Sequence, residues 1–242
     1  MILLTVQHIS KAFAGLQALE DVSFDLEEGG VVGLIGPNGA GKTTLFNIIA
    51  GTIRPDKGRV LFAGTDITGW PPHRIAHQGI ARTFQLMRPF PGLTVLDNVM
   101  VATLQRSNVR EARAAAQAVI ERVGLERWQN SRAATLSTAG RKRLELARAL
   151  ALKPRLLLLD EVLAGLTPTE RATVIDMVRT IHDEGISILL VEHVMSAIMA
   201  LSQRILVLHH GKLLADGPPR AVTQDQRVID AYLGEDGLHV DA

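Results

Sequence analysis

A glycine-rich octapeptide, Gly36-Pro-Asn-Gly-Ala-Gly-Lys-Thr43, constrains the fold of this 242-residue chain more than any other feature. It matches the pattern G-x-x-x-x-G-K-[ST] in full, follows the apolar run Val31–Ile35, and precedes a predicted helix over Thr44–Ile49. Its glycines let successive backbone N–H groups face a phosphate chain, and the positive end of the next helix strengthens that attraction. An ordinary glycine-rich turn is the alternative. The predicted strand before the loop and helix after it favour a phosphate site.

Positions within this phosphate loop assign expected roles. Lys42 is expected to reach the β- and γ-phosphates of a nucleotide, and the Thr43 hydroxyl is expected to hold Mg²⁺. The same nucleotide is expected to contact the remaining loop residues Gly36, Asn38, Gly39, Ala40, Gly41 and Thr44.

A second motif, Arg155-Leu-Leu-Leu-Leu-Asp-Glu161, is a hydrophobic strand that ends in two carboxylates. We expect the strand to deliver Asp160 beside the phosphate loop, where its carboxylate orients the Mg²⁺ shell. Glu161 points the other way and can polarise a water molecule aimed at the γ-phosphate. An acidic strand end that merely faces solvent is the alternative, which the presence of the phosphate loop disfavours.

The pattern of apolar runs predicts an α/β fold. Runs rich in Val, Ile and Leu predict buried strands of a mostly parallel sheet, at Val31–Ile35, Leu156–Leu159, Ile186–Val191 and Ile205–Leu208. Shorter runs predict an N-terminal antiparallel β layer, at Leu3–Ser10, Ser23–Leu26 and Arg59–Phe62. We therefore expect a P-loop NTPase (RecA-like) core, residues 1–86 and 154–242, with a helical lobe inserted at 87–153.

Composition excludes several classes of protein. The formal net charge of +1 does not indicate the excess of basic charge that is typical of nucleic-acid-binding proteins. The absence of cysteine excludes disulfides, thiol catalysis and Cys-ligated zinc, and suits a reducing cytoplasm. No apolar stretch approaches the ~20 residues of a membrane helix, and the N-terminus lacks the features of a signal peptide. Any role at a membrane is therefore expected to depend on partner subunits.

The segment Leu136–Leu150 resembles the signature helix of ATP-binding cassette (ABC) ATPases, which usually begins Leu-Ser-Gly-Gly-Gln. Gln85 falls where that family has its Q-loop glutamine, and His193 falls where it has its switch histidine. The order and spacing of these motifs match over essentially the whole chain. The resemblance implies that the nucleotide is ATP, bound with Mg²⁺ between two ATPase chains arranged head to tail.

The resemblance also implies roles for single residues. Gln85 would contact Mg²⁺ and the attacking water and carry the signal to a membrane partner, and His193 would contact the γ-phosphate. Ser137 and the backbone at Ala139 would contact the γ-phosphate of the opposite subunit. Phe13 would stack on adenine, although a place in the hydrophobic core fits it equally well. For His193 the alternative is a structural histidine at a strand end.

Three departures from the family pattern concern the signature and the residues after the catalytic carboxylate. Thr138, Ala139 and Gly140 replace the usual Gly, Gly and Gln. A backbone N–H survives at Ala139, but we expect its methyl group to crowd an approaching phosphate. Val162 replaces a common Pro and Thr167 a frequent Asp. Because a signature serves the other subunit's nucleotide, any weakening in a mixed dimer would affect the partner's site.

Two further segments, Gly69–Gln85 and Val228–Glu235, look like the ATPases of branched-chain amino-acid importers. In that group two related ATPases pair beneath two transmembrane permease subunits, and a substrate-binding protein delivers the cargo. The resemblance implies a peripheral subunit on the cytoplasmic side of the inner membrane. Apolar residues within Leu86–Pro91 fit docking of a permease helix or, alternatively, a hinge between lobes.

Three alternative functions remain open from the sequence. Lipopolysaccharide-export ATPases share much of the two segments that suggest amino-acid import. A soluble ABC ATPase acting on DNA or ribosomes would usually carry coiled-coil inserts, zinc modules or a second cassette, and this chain has none. A regulatory module that binds nucleotide without hydrolysis is disfavoured by Glu161 and His193, while the altered signature keeps it possible.

Overall fold

The structure is a computed structural model that describes residues 1–83, 89–104 and 108–233. The strands are β1 (Ile2–Phe13), β2 (Leu16–Glu27), β3 (Val31–Ile35), β4 (Lys57–Phe62), β5 (Thr65–Asp66), β6 (Ile80–Arg82), β7 (Leu156–Asp160), β8 (Ser187–Val191), β9 (Arg204–His209) and β10 (Lys212–Gly217). The helices are α1 (Lys42–Ile49), α2 (Pro72–Gln78), α3 (Val95–Thr103), α4 (Val109–Arg122), α5 (Thr138–Leu150), α6 (Pro168–Asp183), α7 (Met195–Leu201), α8 (Pro219–Thr223) and α9 (Gln226–Leu233). Short 3-10 helices cover Glu126–Trp128 and Ala133–Thr135.

The chain divides into two compact units. The first consists of Met1–Ile75 together with the chain from Ser187 onward, and the second consists of Ala76–Ile186. In the first unit an antiparallel sheet has the strand order β2-β1-β4-β5. Val6 at its centre pairs with Phe24 on one side and Val60 on the other. The predicted antiparallel layer is therefore confirmed.

Buried parallel strands form the other layer of the first unit. Strand β3 lies between β8 and β9 and runs parallel to both, so that Leu34 pairs with Val191 and with Leu206. All five residues of β3 and all five of β8 are buried, as expected for parallel strands covered on both faces. Strand β10 adds to β9 in the antiparallel direction. The carboxyl end of β3 leads directly into the phosphate loop.

In the second unit β6 runs parallel to β7, with Arg82 opposite Leu158. Between these strands the described residues, 89–104 and 108–155, form helices and no strand, which confirms the inserted helical segment. Its boundaries at 87–153 stay a prediction. After β7, helix α6 begins with a capping box between Thr167 and Glu170, which is the structure expected when a Thr is followed three residues later by a Glu at a helix start.

Three strands are additional to those predicted: β5, β6 and β10. Strand β5 has only two residues. Strand β6 has three residues, which is too short for a periodic pattern to be visible, and β10 is a partly exposed edge strand with Lys212 and Asp216 within it. Among the described helices, none combines the length and the apolar character needed to cross a membrane.

A buried asparagine holds the loop that precedes α3. The Asn98 side chain is fully buried. Its Oδ1 accepts a hydrogen bond from the Phe90 N–H at 2.8 Å, and its Nδ2 donates to the Phe90 carbonyl at 3.0 Å and to the Thr94 carbonyl at 2.9 Å. The Asn98 side chain thereby adds hydrogen bonds to the backbone at Phe90 and Thr94.

We expect Asn98→Ala to lower the free energy of unfolding by about 2–3 kcal/mol, because the buried amide and its hydrogen bond from the Phe90 N–H would be lost. Denaturant unfolding measures the change. Asn130→Ala is the matched control, since Asn130 is exposed and its replacement should stay within about 0.5 kcal/mol of the parent. Equal effects of the two substitutions would contradict a structural role for the Asn98 amide.

Candidate functional site

The phosphate loop fits its surroundings only if two positions are glycine. Gly36 has φ 150°, and a Cβ added to it would lie 2.1 Å from the carbonyl oxygen of Leu208. Gly41 has φ 106°, and its added Cβ would lie 2.5 Å from the carbonyl oxygen of Ala18. Both backbone conformations disfavour L side chains, and both contacts are far inside van der Waals distance. The loop is therefore packed against neighbouring backbone while it curves between β3 and α1.

Lys42 lies inside this curve. Its side chain is largely buried, with the residue 7% exposed, and its ammonium group donates to the carbonyls of Gly36 at 2.6 Å and Pro37 at 2.9 Å. A lysine so placed stabilises the loop and brings a positive charge to the concave side, where an anionic phosphate would be attracted to it.

The start of α1 offers further contacts to an anion. No side chain from the described part of the chain caps this helix at Gly41, so its first-turn N–H groups can bind an anion. Asn38, Gly39 and Thr43 are exposed at the same place, and a Cβ at Gly39 would meet nothing within 4 Å. The loop thus has a closed, packed side at Gly36 and an open side at Gly39, as a phosphate cradle requires.

Sequence reasoning missed one residue at this loop. Tyr232 on α9 lies near the backbone of Gly36, close enough for that backbone to lower the pKa of its hydroxyl. Burial raises the pKa of the Tyr232 hydroxyl from 10.0 to about 12, and the neighbouring backbone of Gly36 partly opposes that shift. Only the resemblance of the C-terminal segment to a family hinted at this residue, and nothing in the sequence connects positions 36 and 232.

The raised pKa gives a direct test, because Tyr232 is the chain's only tyrosine. Near-ultraviolet absorbance of tyrosinate should titrate near pH 12 in the folded protein and near 10.0 after denaturation. Since the folded state holds the proton more tightly, the stabilisation is complete below about pH 10 and is lost as the pH rises toward about 12. Tyr232→Phe should lack this contribution to the alkaline fall in stability. An ordinary pKa in the folded protein would contradict the packing of Tyr232.

In the second unit, Asp160 ends strand β7 inside the protein. The residue is only 3% exposed, so an acidic strand end that faces solvent does not describe it. Its Oδ2 accepts a hydrogen bond from Nη2 of Arg82 at 2.8 Å, and its backbone N–H donates to Oγ1 of Thr83 at 3.1 Å. Neither Arg82 nor Thr83 was among the predicted site residues, because a contact across parallel strands leaves no mark in local sequence.

Glu161 follows in an unusual backbone conformation. Its φ is 49°, in the left-handed region that residues other than glycine rarely adopt. The buried Lys142 of α5 donates from Nζ to the Glu161 carbonyl at 2.5 Å, which ties this bend to the signature helix. Backbone strain of this kind is common where a side chain must be aimed for function.

The N-terminus of α5 carries the signature residues. Ser137 is its N-cap, and the Ser137 hydroxyl accepts a hydrogen bond from the Gly140 N–H at 3.2 Å. Ala139 is only 6% exposed, so this chain itself covers most of the methyl group that we expected to crowd a phosphate. The contacts predicted for Ser137 and Ala139 with a second subunit stay predictions.

His193, Phe13 and Gln85, whose roles the family resemblance implied, lie at exposed positions or outside the described ranges. His193 is exposed, two residues beyond β8. Phe13 ends β1 with 44% of the residue exposed, and the Lys11 ammonium lies 5.4 Å from its ring centroid. A core position for Phe13 is therefore wrong, and its contact with adenine stays a prediction. Gln85 lies outside the described residues, as do Leu86, Met87 and Arg88.

The donor groups fit the predicted Mg²⁺. This ion is usually held by one or two carboxylates together with phosphates and water, so a preformed cage of side chains is not expected. Across the described ranges, no three His, Asp or Glu side chains cluster as a metal site. The chain instead provides one buried carboxylate at Asp160 and one exposed hydroxyl at Thr43, both hard oxygen ligands of the type that Mg²⁺ prefers.

The fold and the phosphate loop define a P-loop nucleotide-binding protein. The family model described as "ABC transporter" matches residues 19–164. A second model, "Branched-chain amino acid ATP-binding cassette transporter", matches residues 212–237, the segment that contains Tyr232.

Curated relatives and solved structures agree with these matches. The chain is 38% identical over 250 residues to BraF of Pseudomonas aeruginosa, a high-affinity branched-chain amino acid transport ATP-binding protein, covering 96% of this chain and 98% of BraF. It is 36% identical over 240 residues to LptB of Escherichia coli, a lipopolysaccharide export system ATP-binding protein, covering 98% of this chain and 99% of LptB.

The ADP conformation of MJ1267, an ABC transporter cassette, matches with TM-score 0.89 and 30% identity over 97% of this chain and 100% of that one. The dimeric cassette MJ0796 matches with TM-score 0.82 and 25% identity, covering 90% and 99%. The chain belongs to the ABC transporter family and is one of its ATPases.

Proposed function

We propose that this protein is the ATP-hydrolysing subunit of a transporter that imports branched-chain or related amino acids. One observation carries the proposal beyond the family assignment. The segment that matches the branched-chain amino acid model, residues 212–237, reaches the phosphate loop at Tyr232, whose hydroxyl pKa is affected by the backbone of Gly36. A family-specific segment therefore contributes to the site at which nucleotide would bind.

In the proposed reaction, the phosphate loop binds ATP through backbone N–H groups and the Lys42 ammonium. Electrostatic stabilisation of the transferred phosphoryl group supplies most of the catalysis in this class of reaction. Lys42 already lies within the loop with its carbonyl contacts at 2.6 and 2.9 Å, so little side-chain movement is needed to meet a phosphate. Phe13 is proposed to contact adenine, since its ring is accessible at the end of β1.

Glu161 is proposed as the general base. Its carboxylate accepts a proton from water as the water oxygen attacks the γ-phosphorus, and the bond from that phosphorus to the bridging oxygen of ADP breaks. Thr43, Asp160 and Gln85 are proposed to hold Mg²⁺, which neutralises charge on the phosphates when it is bound. His193 is proposed to contact the γ-phosphate, and its exposure leaves it accessible for this contact.

The proposed partners are a second ATPase subunit, permease subunits and a substrate-binding protein. Ser137 and Ala139 begin α5, and we propose that they complete the ATP site of a second ATPase subunit arranged head to tail. The dimeric structure of the related cassette MJ0796 supports such an arrangement. The described helices provide no membrane span, so permease subunits would supply it and a substrate-binding protein would bring the cargo. The chain itself would be peripheral, on the cytoplasmic side of the inner membrane.

The docking surface for a permease is proposed at the loop before α3. Phe90 is exposed there, with the Arg148 guanidinium 5.3 Å from its ring centroid. An exposed aromatic beside a cation is suited to a helix that presents both apolar and polar groups. The Asn98 side chain holds the backbone of Phe90 through hydrogen bonds. This restraint supports docking at Phe90 over a hinge there.

Uptake of labelled leucine, isoleucine and valine in cells that lack the gene tests the proposed cargo. We expect high-affinity uptake to fall and to recover with the wild-type gene but not with the Glu161→Gln variant. Affinity purification from native membranes should then recover two kinds of multi-span protein and a second ATPase. Unchanged uptake of all three amino acids would contradict the proposal.

Lipopolysaccharide export is the second candidate, because LptB matches over 98% of this chain. The same deletion strain distinguishes the two functions. Loss of lipopolysaccharide from the outer leaflet with normal amino-acid uptake would favour export. Co-purification of ribosomal proteins or DNA instead of membrane proteins would favour neither transporter.

We expect Glu161→Gln to leave ATP binding nearly intact and to slow hydrolysis by about 10²–10⁴-fold, which is the usual contribution of a general base. Phosphate release under saturating ATP and binding of a fluorescent ATP analogue measure the two effects separately. Glu121→Gln, on the exposed face of α4, is the matched control and should change neither. Near wild-type hydrolysis by contaminant-free Glu161→Gln protein would remove Glu161 from the mechanism.

A further inference from the structure

Two consecutive residues at the end of β6 hold Asp160. Arg82 is the last residue of β6 and Asp160 the last of β7, in a parallel pair of strands in which Ala81 lies opposite Leu157. Nη2 of Arg82 lies 2.8 Å from Oδ2 of Asp160, and the two side chains are 8% and 3% exposed. The pair is thus almost completely shielded from water.

The next residue, Thr83, fixes the backbone of the same aspartate. The Asp160 N–H donates to Oγ1 of Thr83 at 3.1 Å, and the Thr83 N–H donates to the Leu158 carbonyl at 3.0 Å. Thr83 is itself buried. The side chain and the main chain of Asp160 are therefore held separately, by neighbouring residues of a single strand end.

Burial of an ionised carboxylate is unfavourable unless a partner compensates the lost hydration. Arginine is suited to this place, because its guanidinium stays charged at every physiological pH and presents its donors in a rigid plane. Lysine would offer the same charge on a flexible chain without that plane. The contact with Arg82 uses one carboxylate oxygen, Oδ2, so it also determines in which direction Oδ1 points.

We infer that Arg82 is a positioning residue for the magnesium site: it holds Oδ2 of Asp160 and leaves Oδ1 available to Mg²⁺. The inference rests on the metal-binding role proposed above for Asp160. Mg²⁺ tolerates little departure from octahedral geometry, so a carboxylate free to rotate would serve it poorly. Partners that orient metal ligands typically contribute about 10–100-fold to metal affinity.

Mn²⁺ binding to the ADP-loaded chain tests this inference without measuring hydrolysis. With protein in excess over ADP, free Mn²⁺ is counted by its electron paramagnetic resonance signal. We expect Arg82→Met to weaken Mn²⁺ binding by about 10–100-fold and Arg82→Lys to weaken it less. ADP affinity in EDTA should stay unchanged in both variants, because the phosphate loop is untouched. Arg179→Met is the matched control, since Arg179 pairs with Asp176 at the surface.

The outcomes separate a positioning role from a structural one. If Arg82→Met does not fold, as judged by circular dichroism, Arg82→Lys alone decides by the same criterion. Mn²⁺ affinity within about twofold of wild type in every folded Arg82 variant would overturn the inference, because the ion pair would then serve stability only. Tighter Mn²⁺ binding would also overturn it, because Arg82 would then compete with the metal for Asp160.

Asp160→Asn distinguishes failure of the inference from failure of the proposed site. If this variant loses Mn²⁺ affinity while the Arg82 variants keep it, only the role of Arg82 is wrong. If Asp160→Asn itself binds Mn²⁺ like wild type, the metal role of Asp160 is wrong and the inference about Arg82 falls with it.

Discussion

The close approach of the phosphate loop to the end of β9 is the constraint on which the nucleotide site depends. A side chain at Gly36 would collide with the Leu208 carbonyl, so the loop is held against a buried strand with no space to shift toward it. Lys42 spans the loop from inside, and Tyr232 on α9 lies near the same glycine. Strand β9 and helix α9, distant in the sequence, thereby restrain the same turn that Lys42 spans, before any nucleotide arrives.

The second unit applies the same principle to its carboxylates. Asp160 is held by Arg82 and Thr83, and the Glu161 carbonyl is held by Lys142 from the signature helix. The two adjacent acidic residues are therefore oriented by different elements, β6 for the first and α5 for the second. That separation suits the roles proposed for these residues, because a metal ligand and a general base would face different atoms of one substrate.

Most of the fold could be predicted from the sequence because its strongest signals are local. Apolar runs marked the parallel strands, and Thr167 with Glu170 marked the start of α6. Local signals could not reveal β6, whose three residues are too few for periodicity. They also missed the last part of β1, which continues to Phe13 beyond the predicted end at Ser10. The loop motif likewise identified Lys42 and Thr43, whereas Arg82, Lys142 and Tyr232 depend on contacts between residues far apart in the chain, which only folding brings together.

Asn98 has a consequence for how motion could pass through the protein. A loop attached only at its two ends would bend when a partner pushes on it, and little of the movement would reach the rest of the protein. In the described residues before α3, Phe90 is instead held by the buried amide of Asn98, through hydrogen bonds in both directions. If a permease helix rests on Phe90, as proposed above, these hydrogen bonds would make it follow a displacement of α3.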